Sequence, residues 1–258
     1  MAIPERNLRS DLRNRRWIRS LISIVPAPEI VEITAAAGFE CIIFDSEHGP
    51  YGVEAIRALV PVAHSLGLPV LVRVPDTEAA AIGVALDLGA DGIIVPGISN
   101  AAQARTVVQA ARFAPLGSRG VNPYVRAAGF TARAYWFSEA NERTCVVVMV
   151  EGREGLERID EILRTEGVDM IFVGPFDLSQ SLGVPGEIRH PLVIEAIQTI
   201  IRATAALGVA VGIFVPDANG ARYWRSHGAQ FVAIGVDTQH VLAAMSHVIA
   251  STNEDQER

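Results

Sequence analysis

Cys41-Ile42-Ile43-Phe44-Asp45-Ser46-Glu47-His48-Gly49-Pro50 holds the join on which the fold turns. Its first four residues are apolar and β-branched enough to form a strand buried on both faces. The run then stops. Asp45, Glu47 and His48 follow, and Gly49-Pro50 turns the chain into a helical pattern. A buried strand that ends in titratable groups and returns through a helix is one βα unit.

The unit recurs. Further strand candidates are Leu21–Val25, Val70–Arg73, Gly92–Val95, Cys145–Val150, Met170–Val173, Val209–Phe214 and Phe231–Ile234. Helical patterns lie between them at 28–37, 53–66, 78–88, 101–112, 156–164, 192–207, 218–227 and 238–250. Glycine closes several of these helices, as at Ala36-Ala37-Gly38 and Ser226-His227-Gly228, where it supplies the left-handed position past a helix end. Eight doubly buried strands in 258 residues predict a (β/α)8 TIM barrel with an N-terminal helix, one domain spanning 1–258. The alternative is an open doubly wound sheet, but no Gly-x-Gly-x-x-Gly follows any strand.

Composition narrows the chemistry. All 22 basic residues are arginine, so the chain has no lysine, and Schiff-base catalysis, covalent PLP attachment and a P-loop lysine are excluded. A net charge of −7 argues against a nucleic-acid partner. No apolar run reaches the ~18 residues of a membrane span, and a soluble cytoplasmic protein is expected. Arg6, Arg9, Arg13, Arg15, Arg16 and Arg19, interrupted by Glu5 and Asp11, read as a solvated first helix. Cys41 and Cys145 open apolar runs and read as buried free thiols.

In a barrel the chemistry lies at the carboxyl ends of the strands. That rule collects Asp45, Glu47 and His48 after the second strand, Arg73 at the third, Glu151 after the fifth and Asp177 after the sixth. Glu151 and Asp177, from adjacent strands, are hard carboxylates suited to Mg²⁺ or Mn²⁺; each also reads as a helix N-terminal acid. His48 reads as a general base oriented by a neighbouring carboxylate, or as a surface turn residue. Arg73 can stabilise a developing oxyanion, pair with a carboxylate, or do both. The loops after the last two strands, Val215-Pro216-Asp217 and Gly235-Val236-Asp237, place acids where a phosphate would bind, so a non-phosphorylated substrate is expected. The long stretches 113–144 and 174–191 read as loops that cover or build the site. Ser251–Arg258 reads as a frayed polar end.

Asp45–Pro50, Arg73-Val74-Pro75, Gly89-Ala90-Asp91-Gly92-Ile93-Ile94-Val95-Pro96, Gly117-Ser118-Arg119-Gly120-Val121 and Gly174-Pro175-Phe176-Asp177-Leu178-Ser179 occur in the order and spacing of the HpcH/HpaI aldolase family. The chain resembles that family from about Leu21 to Ala250. The resemblance implies a class II, metal-dependent pyruvate aldolase, as in 4-hydroxy-2-oxoheptanedioate and 2-dehydro-3-deoxyglucarate aldolases. It implies Glu151 and Asp177 as ligands of Mg²⁺ or Mn²⁺, with Co²⁺ or Zn²⁺ as alternatives. His48 would be the base with Asp45 orienting it, and Arg73 the enolate stabiliser. The backbone of Gly174, Pro175 and Phe176 would hold the substrate carboxylate, and Val121 would reach a neighbouring subunit's site in a hexamer.

Three positions depart from the family pattern: Met149 replaces a glutamine, Phe176 a small residue, and Ser20-Leu21-Ile22 a Gly-x-Trp. These bear on the substrate more than on the chemistry. The expected reactants are a 2-oxo acid and an aldehyde. Citrate-forming or other oxaloacetate-using enzymes, and CoA-ester lyases, are the alternative reading on the same barrel, and a non-catalytic binding protein is disfavoured because His48, Arg73, Glu151 and Asp177 are all present.

Overall fold

A computed structural model describes residues 7–253. Eight parallel strands close into a barrel in sequence order: β1 (Ile18–Ser23), β2 (Cys41–Asp45), β3 (Val70–Arg73), β4 (Gly92–Val95), β5 (Cys145–Val150), β6 (Met170–Val173), β7 (Ala210–Val215) and β8 (Phe231–Val236). Closure runs from β8 back to β1, with Phe231 opposite Ile18. Period-two alternation divides each strand between two cores. Ile43, Val147, Met149, Met170 and Phe172 fill the barrel, whereas Ile42, Phe44, Val146, Val148, Ile171 and Val173 meet the surrounding helices. Both cysteines lie buried in the interior and form no disulfide with each other.

The helices follow the expected pattern, and Gly38 and Gly228 hold φ of 84° and 106° at the helix ends they close. The segment read as one helix over 156–164 is two, Arg153–Glu157 and Ile159–Leu163, separated at Arg158. The helix Asp237–Asn253 runs through part of the end expected to fray; residues 254–258 lie outside the described residues.

Three expectations need correction. The first helix, Leu8–Arg13, is not solvated: Leu8 and Leu12, one turn apart, join the barrel-interior cluster at its floor. Arg9 is buried beneath them, with Nε 2.6 Å from Asp169 Oδ1 and Nη1 donating to the carbonyls of Asn141 and Glu142. Arg6 lies outside the described residues. Second, β1 begins at Ile18, because outward-facing Arg19 pairs with Glu40 and masks the strand pattern; it ends at Ser23 rather than Val25. Third, the stretch 113–144 follows the helix Ala101–Ala111 rather than a strand, so it is an αβ connection on the amino-terminal face, away from the mouth. It carries the short helices Arg126–Ala128 and Trp136–Arg143 and is anchored by Arg112, which is 1% exposed and donates to Asn141 O, Thr144 O, Gly167 O and Asp169. The other long stretch, 174–191, does follow a strand, and it forms part of the mouth.

Candidate active site

Register builds the first half of the site. Asp45, the last residue of β2, lies opposite Arg73, the last residue of β3. Their side chains therefore meet: Arg73 Nε and Nη2 donate to Asp45 Oδ1 and Oδ2 at 2.9 and 2.7 Å, a two-point pairing that fixes the guanidinium plane. Asp45 is 1% exposed and also accepts the backbone N–H groups of Glu47 and His48, at 3.0 and 3.3 Å. Its carboxylate thus shapes the turn that follows it. Ser46 closes the same turn by donating to the carbonyl of Tyr51.

This corrects the expected Asp45–imidazole contact. Both Asp45 oxygens are committed to Arg73, and Asp45 reaches His48 through the backbone, not the ring. The carboxylate near the ring is that of Glu47, with Oε2 3.9 Å from His48 Nε2 and 3.1 Å from Arg73 Nη1. The His48 side chain is 68% exposed and stands at the open edge of the mouth. Arg73 therefore pairs with two carboxylates; its hydrogen bonds to Asp45 use Nε–H and one Nη2–H, and N–H donors remain on the η nitrogens for a ligand. Burial opposes its charge, but the Asp45 hydrogen bonds and the charges of Asp45, Glu47 and Glu151 hold the guanidinium above its usual range.

Across the mouth, Glu151 follows β5 and Asp177 sits in the first turn of Pro175–Ser181 after β6. Glu151 Oε1 accepts the N–H of Gly97 at 2.7 Å. Its other oxygen lies against Gly174: a Cβ there would stand 2.8 Å from Glu151 Oε2 and 3.3 Å from Met149 Cε. Glycine at this point is what lets the carboxylate lie over the end of β6. Burial pushes the Glu151 carboxyl above its ordinary range, and the charges of Asp177 and Glu47 add to the effect. Burial likewise raises Glu47, outweighing Arg73 and His48.

The mouth therefore holds Asp45, Glu47, Glu151 and Asp177 around one arginine. Among the described residues no three His, Cys, Asp or Glu side chains converge as a metal cage. The donor set fits a hard divalent cation held by two carboxylates, with non-protein oxygens completing the shell. Both raised carboxyls mark negative charge that such a cation would neutralise.

Asp45, His48, Arg73, Met149 and Gly174–Asp177 line one cleft of about 410 Å³. Val121 and Glu151 do not: Val121 is 67% exposed on the 113–144 connection, and Glu151 packs against Gly174 and Gly97 beside the cleft. Ile22, from the expected departure at Ser20-Leu21-Ile22, also lines it, and four lining residues were not anticipated: Ile24, Phe172, Phe214 and Val236. The signal existed for most of them, since they stand at or near the carboxyl ends of β1, β6, β7 and β8, but an apolar side chain at such an end looks like ordinary core. The acids after β7 and β8 take up local donors that an anion would otherwise use. Asp237 accepts the N–H groups of Ile24 and Val25 at 2.9 Å each and the Ser23 hydroxyl at 2.8 Å, and Asp217 caps its helix through Gly220 N–H.

Residues 24–244 match the HpcH/HpaI aldolase/citrate lyase family. The chain belongs to that family. It is 40% identical over 232 residues to the hydroxypyruvate/pyruvate aldolase of Deinococcus radiodurans, covering 90% of this chain and 83% of that one. It is 36% identical over 253 residues to the 2-keto-3-deoxy-L-rhamnonate aldolase of Klebsiella pneumoniae, covering 96% and 91%. An HpcH/HpaI aldolase/citrate lyase family protein from Burkholderia cenocepacia superposes with a TM-score of 0.91 at 34% identity, over 95% of this chain and 98% of that one.

Proposed function

We propose that this HpcH/HpaI family member is a divalent-metal-dependent class II aldolase that interconverts a 4-hydroxy-2-oxo acid with pyruvate and an aldehyde. The observation that carries the reading is the mouth itself: a surplus of carboxylates, two of them raised by burial, beside a fixed arginine in a chain with no lysine. Without an amine to form an iminium, the electrons released on C–C cleavage need another acceptor. A bound Mg²⁺ or Mn²⁺, with Co²⁺ or Zn²⁺ as alternatives, supplies that acceptor. Kinship with named pyruvate aldolases favours this over the citrate-forming or CoA-ester alternative.

Glu151 and Asp177 would hold the cation. His48, at the open edge, takes the proton from the C4 hydroxyl and returns one to the enolate. Its ring is set by the turn that Asp45 organises and by the nearby Glu47. Arg73, pinned by Asp45, directs its remaining N–H donors at the oxygen where negative charge develops. The backbone of Gly174, Pro175 and Phe176 positions the substrate carboxylate; the first-turn N–H groups of that helix have no intrahelical acceptor, and Met149 lies beneath.

We further infer a homo-oligomer, a hexamer by family resemblance, in which Val121 meets a neighbouring mouth. Val241, Leu242, Met245, Val248 and Ile249 form an exposed apolar face, 41–66% accessible, on the helix Asp237–Asn253. Such a face on a long surface helix fits a partner chain. Among the described residues no helix is long and apolar enough to cross a membrane.

The deciding experiment measures pyruvate release from 4-hydroxy-2-oxo acids before and after chelation. Activity should vanish with chelator and return with Mg²⁺ or Mn²⁺; full turnover in metal-free protein would sink the assignment.

A further inference from the structure

The cleft has two unlike sides. Asp45, His48 and Arg73 come from the ends of β2 and β3, whereas Ile22, Ile24, Phe172, Phe176, Phe214 and Val236 come from the ends of β6, β7, β8 and β1, which are neighbours in the closed barrel, with Asp177 next to Phe176 at their border. Phe176 is 48% exposed, and its ring centroid lies 5.9 Å from that of Phe214, so the two rings present an open apolar surface beside the charged half. No hydroxyl, amide or cationic side chain interrupts that surface among the lining residues.

We propose that the aldehyde partner carries an apolar substituent, aliphatic or aryl, and that the ring pair Phe176–Phe214 selects it. The inference rests on the aldolase reading and extends it to the second reactant. In the synthetic direction the C3 carbon of the pyruvate enolate bonds to the aldehyde carbon and the aldehyde oxygen takes up a proton. Nothing is oxidised or reduced. The aldehyde's remaining chain must then lie on whatever wall the 2-oxo acid leaves open.

Two independent features decide what that chain can be. A hydroxylated chain laid on this wall loses hydrogen bonds to water and finds no replacement. An anionic chain fares worse, because among the described residues Arg73 is the arginine that lines the cleft and Asp45 and Glu47 already flank it. The backbone N–H groups of Ile24 and Val25, which could have formed an anion nest on the apolar side, are taken by Asp237. An alkyl or aryl group meets none of these penalties and covers exposed ring surface, which favours it by about fourfold per buried methylene.

The test has two stages on the full-length protein with Mn²⁺. First, exchange of the pyruvate methyl protons in D₂O is followed by NMR, which reports enolate formation without any aldehyde. Second, kcat/KM is measured with size-matched pairs: propanal against glycolaldehyde, and 4-methylpentanal against succinic semialdehyde. The apolar member should win by about 5- to 100-fold in the first pair and by more in the second. In Phe214→Asn the propanal-to-glycolaldehyde ratio should fall at least fivefold, which separates the wall from intrinsic aldehyde reactivity. Absence of exchange overturns the aldolase reading and this inference with it. Exchange combined with an equal or better reaction of the hydroxylated or anionic aldehyde overturns the acceptor inference alone.

Discussion

At the floor of the barrel one carboxylate, Asp169, serves two arginines, Arg9 and Arg112; at the mouth one arginine, Arg73, serves two carboxylates, Asp45 and Glu47. Glu142 adds only an exposed pair to Arg9 at 3.9 Å, so among the buried side chains each end carries surplus charge of opposite sign, and the two surpluses are handled differently. The surplus cation at the floor is surrounded by fixed acceptors: the carbonyls of Asn141, Glu142, Thr144 and Gly167. Burial still lowers the Arg112 guanidinium, but its η nitrogens are fully engaged. At the mouth the surplus is anionic, Glu47 and Glu151 are raised, and among the described residues Gly97 N–H is the hydrogen-bond donor that serves Glu151. A charge surplus met by fixed groups holds a fold together. One left open to solvent is available to a ligand.

The harshest way to break this contrast is at the floor. Asp169→Ala strands two buried guanidinium groups and also removes the acceptor for Val146 N–H. Breaking a buried pair from one side costs roughly 3–5 kcal/mol, so urea unfolding should show that loss and Tm should fall by roughly 10 °C or more. The molecules that remain folded should keep wild-type kcat. Loss of kcat without loss of stability would contradict the division between the two ends.

The mirror experiment is Arg73→Lys. An ammonium keeps the charge but cannot span Asp45 and Glu47 while donating to substrate. kcat/KM should drop by about 10²–10³-fold, with a change in Tm much smaller than at the floor. An equal loss of stability at both ends would show that the mouth arginine is mainly structural.

Much of this contrast was legible in the sequence at the mouth and little of it at the floor. Strand ends announce themselves, because an apolar run that terminates in Asp45 or Arg73 breaks its own pattern. That suffices to collect the two carboxylates across the mouth and the arginine between them. The floor gives no such sign. Arg9 and Arg112 sit in polar-looking helical segments, and only the three-dimensional return of β6 brings Asp169 beneath both. The same limit explains the 113–144 connection, whose length suggested a lid although it follows a helix. It also explains the Asp45–His48 contact, since the two-point pairing with Arg73 is a consequence of β2–β3 register that spacing along the chain cannot reveal. The apolar wall was hidden for the opposite reason: Phe172 and Phe214 are what a barrel strand contains anyway.

A smaller effect sharpens the comparison further. Glu151→Gln removes one of the raised carboxylates and so removes a charge that burial disfavours. The metal-free variant should be at least as stable as the parent, while its stabilisation by Mg²⁺ and its lyase activity are lost. A clear destabilisation in urea would mean that the Glu151 bond to Gly97 outweighs its desolvation.

The finest test reads the mouth through pH. Glu47 and Glu151 both have folded pKa values above the ordinary carboxylate value, so between that value and the raised one the native protein binds more protons than the unfolded chain. Their contribution to stability therefore falls as pH rises through the window just above about 4.5. A divalent cation binds the ionised carboxylates and competes with those protons, so its stabilisation must grow over the same window. Melting curves in EDTA and in saturating Mg²⁺, taken in steps from acidic to neutral pH, should diverge as pH rises. Titrations elsewhere, including at the floor, affect both curves alike and cancel in their difference. Glu151→Gln should flatten that difference, and Asp169→Ala should leave it intact. Parallel curves in the parent protein would mean that the acidic surplus at the mouth does not hold the cation.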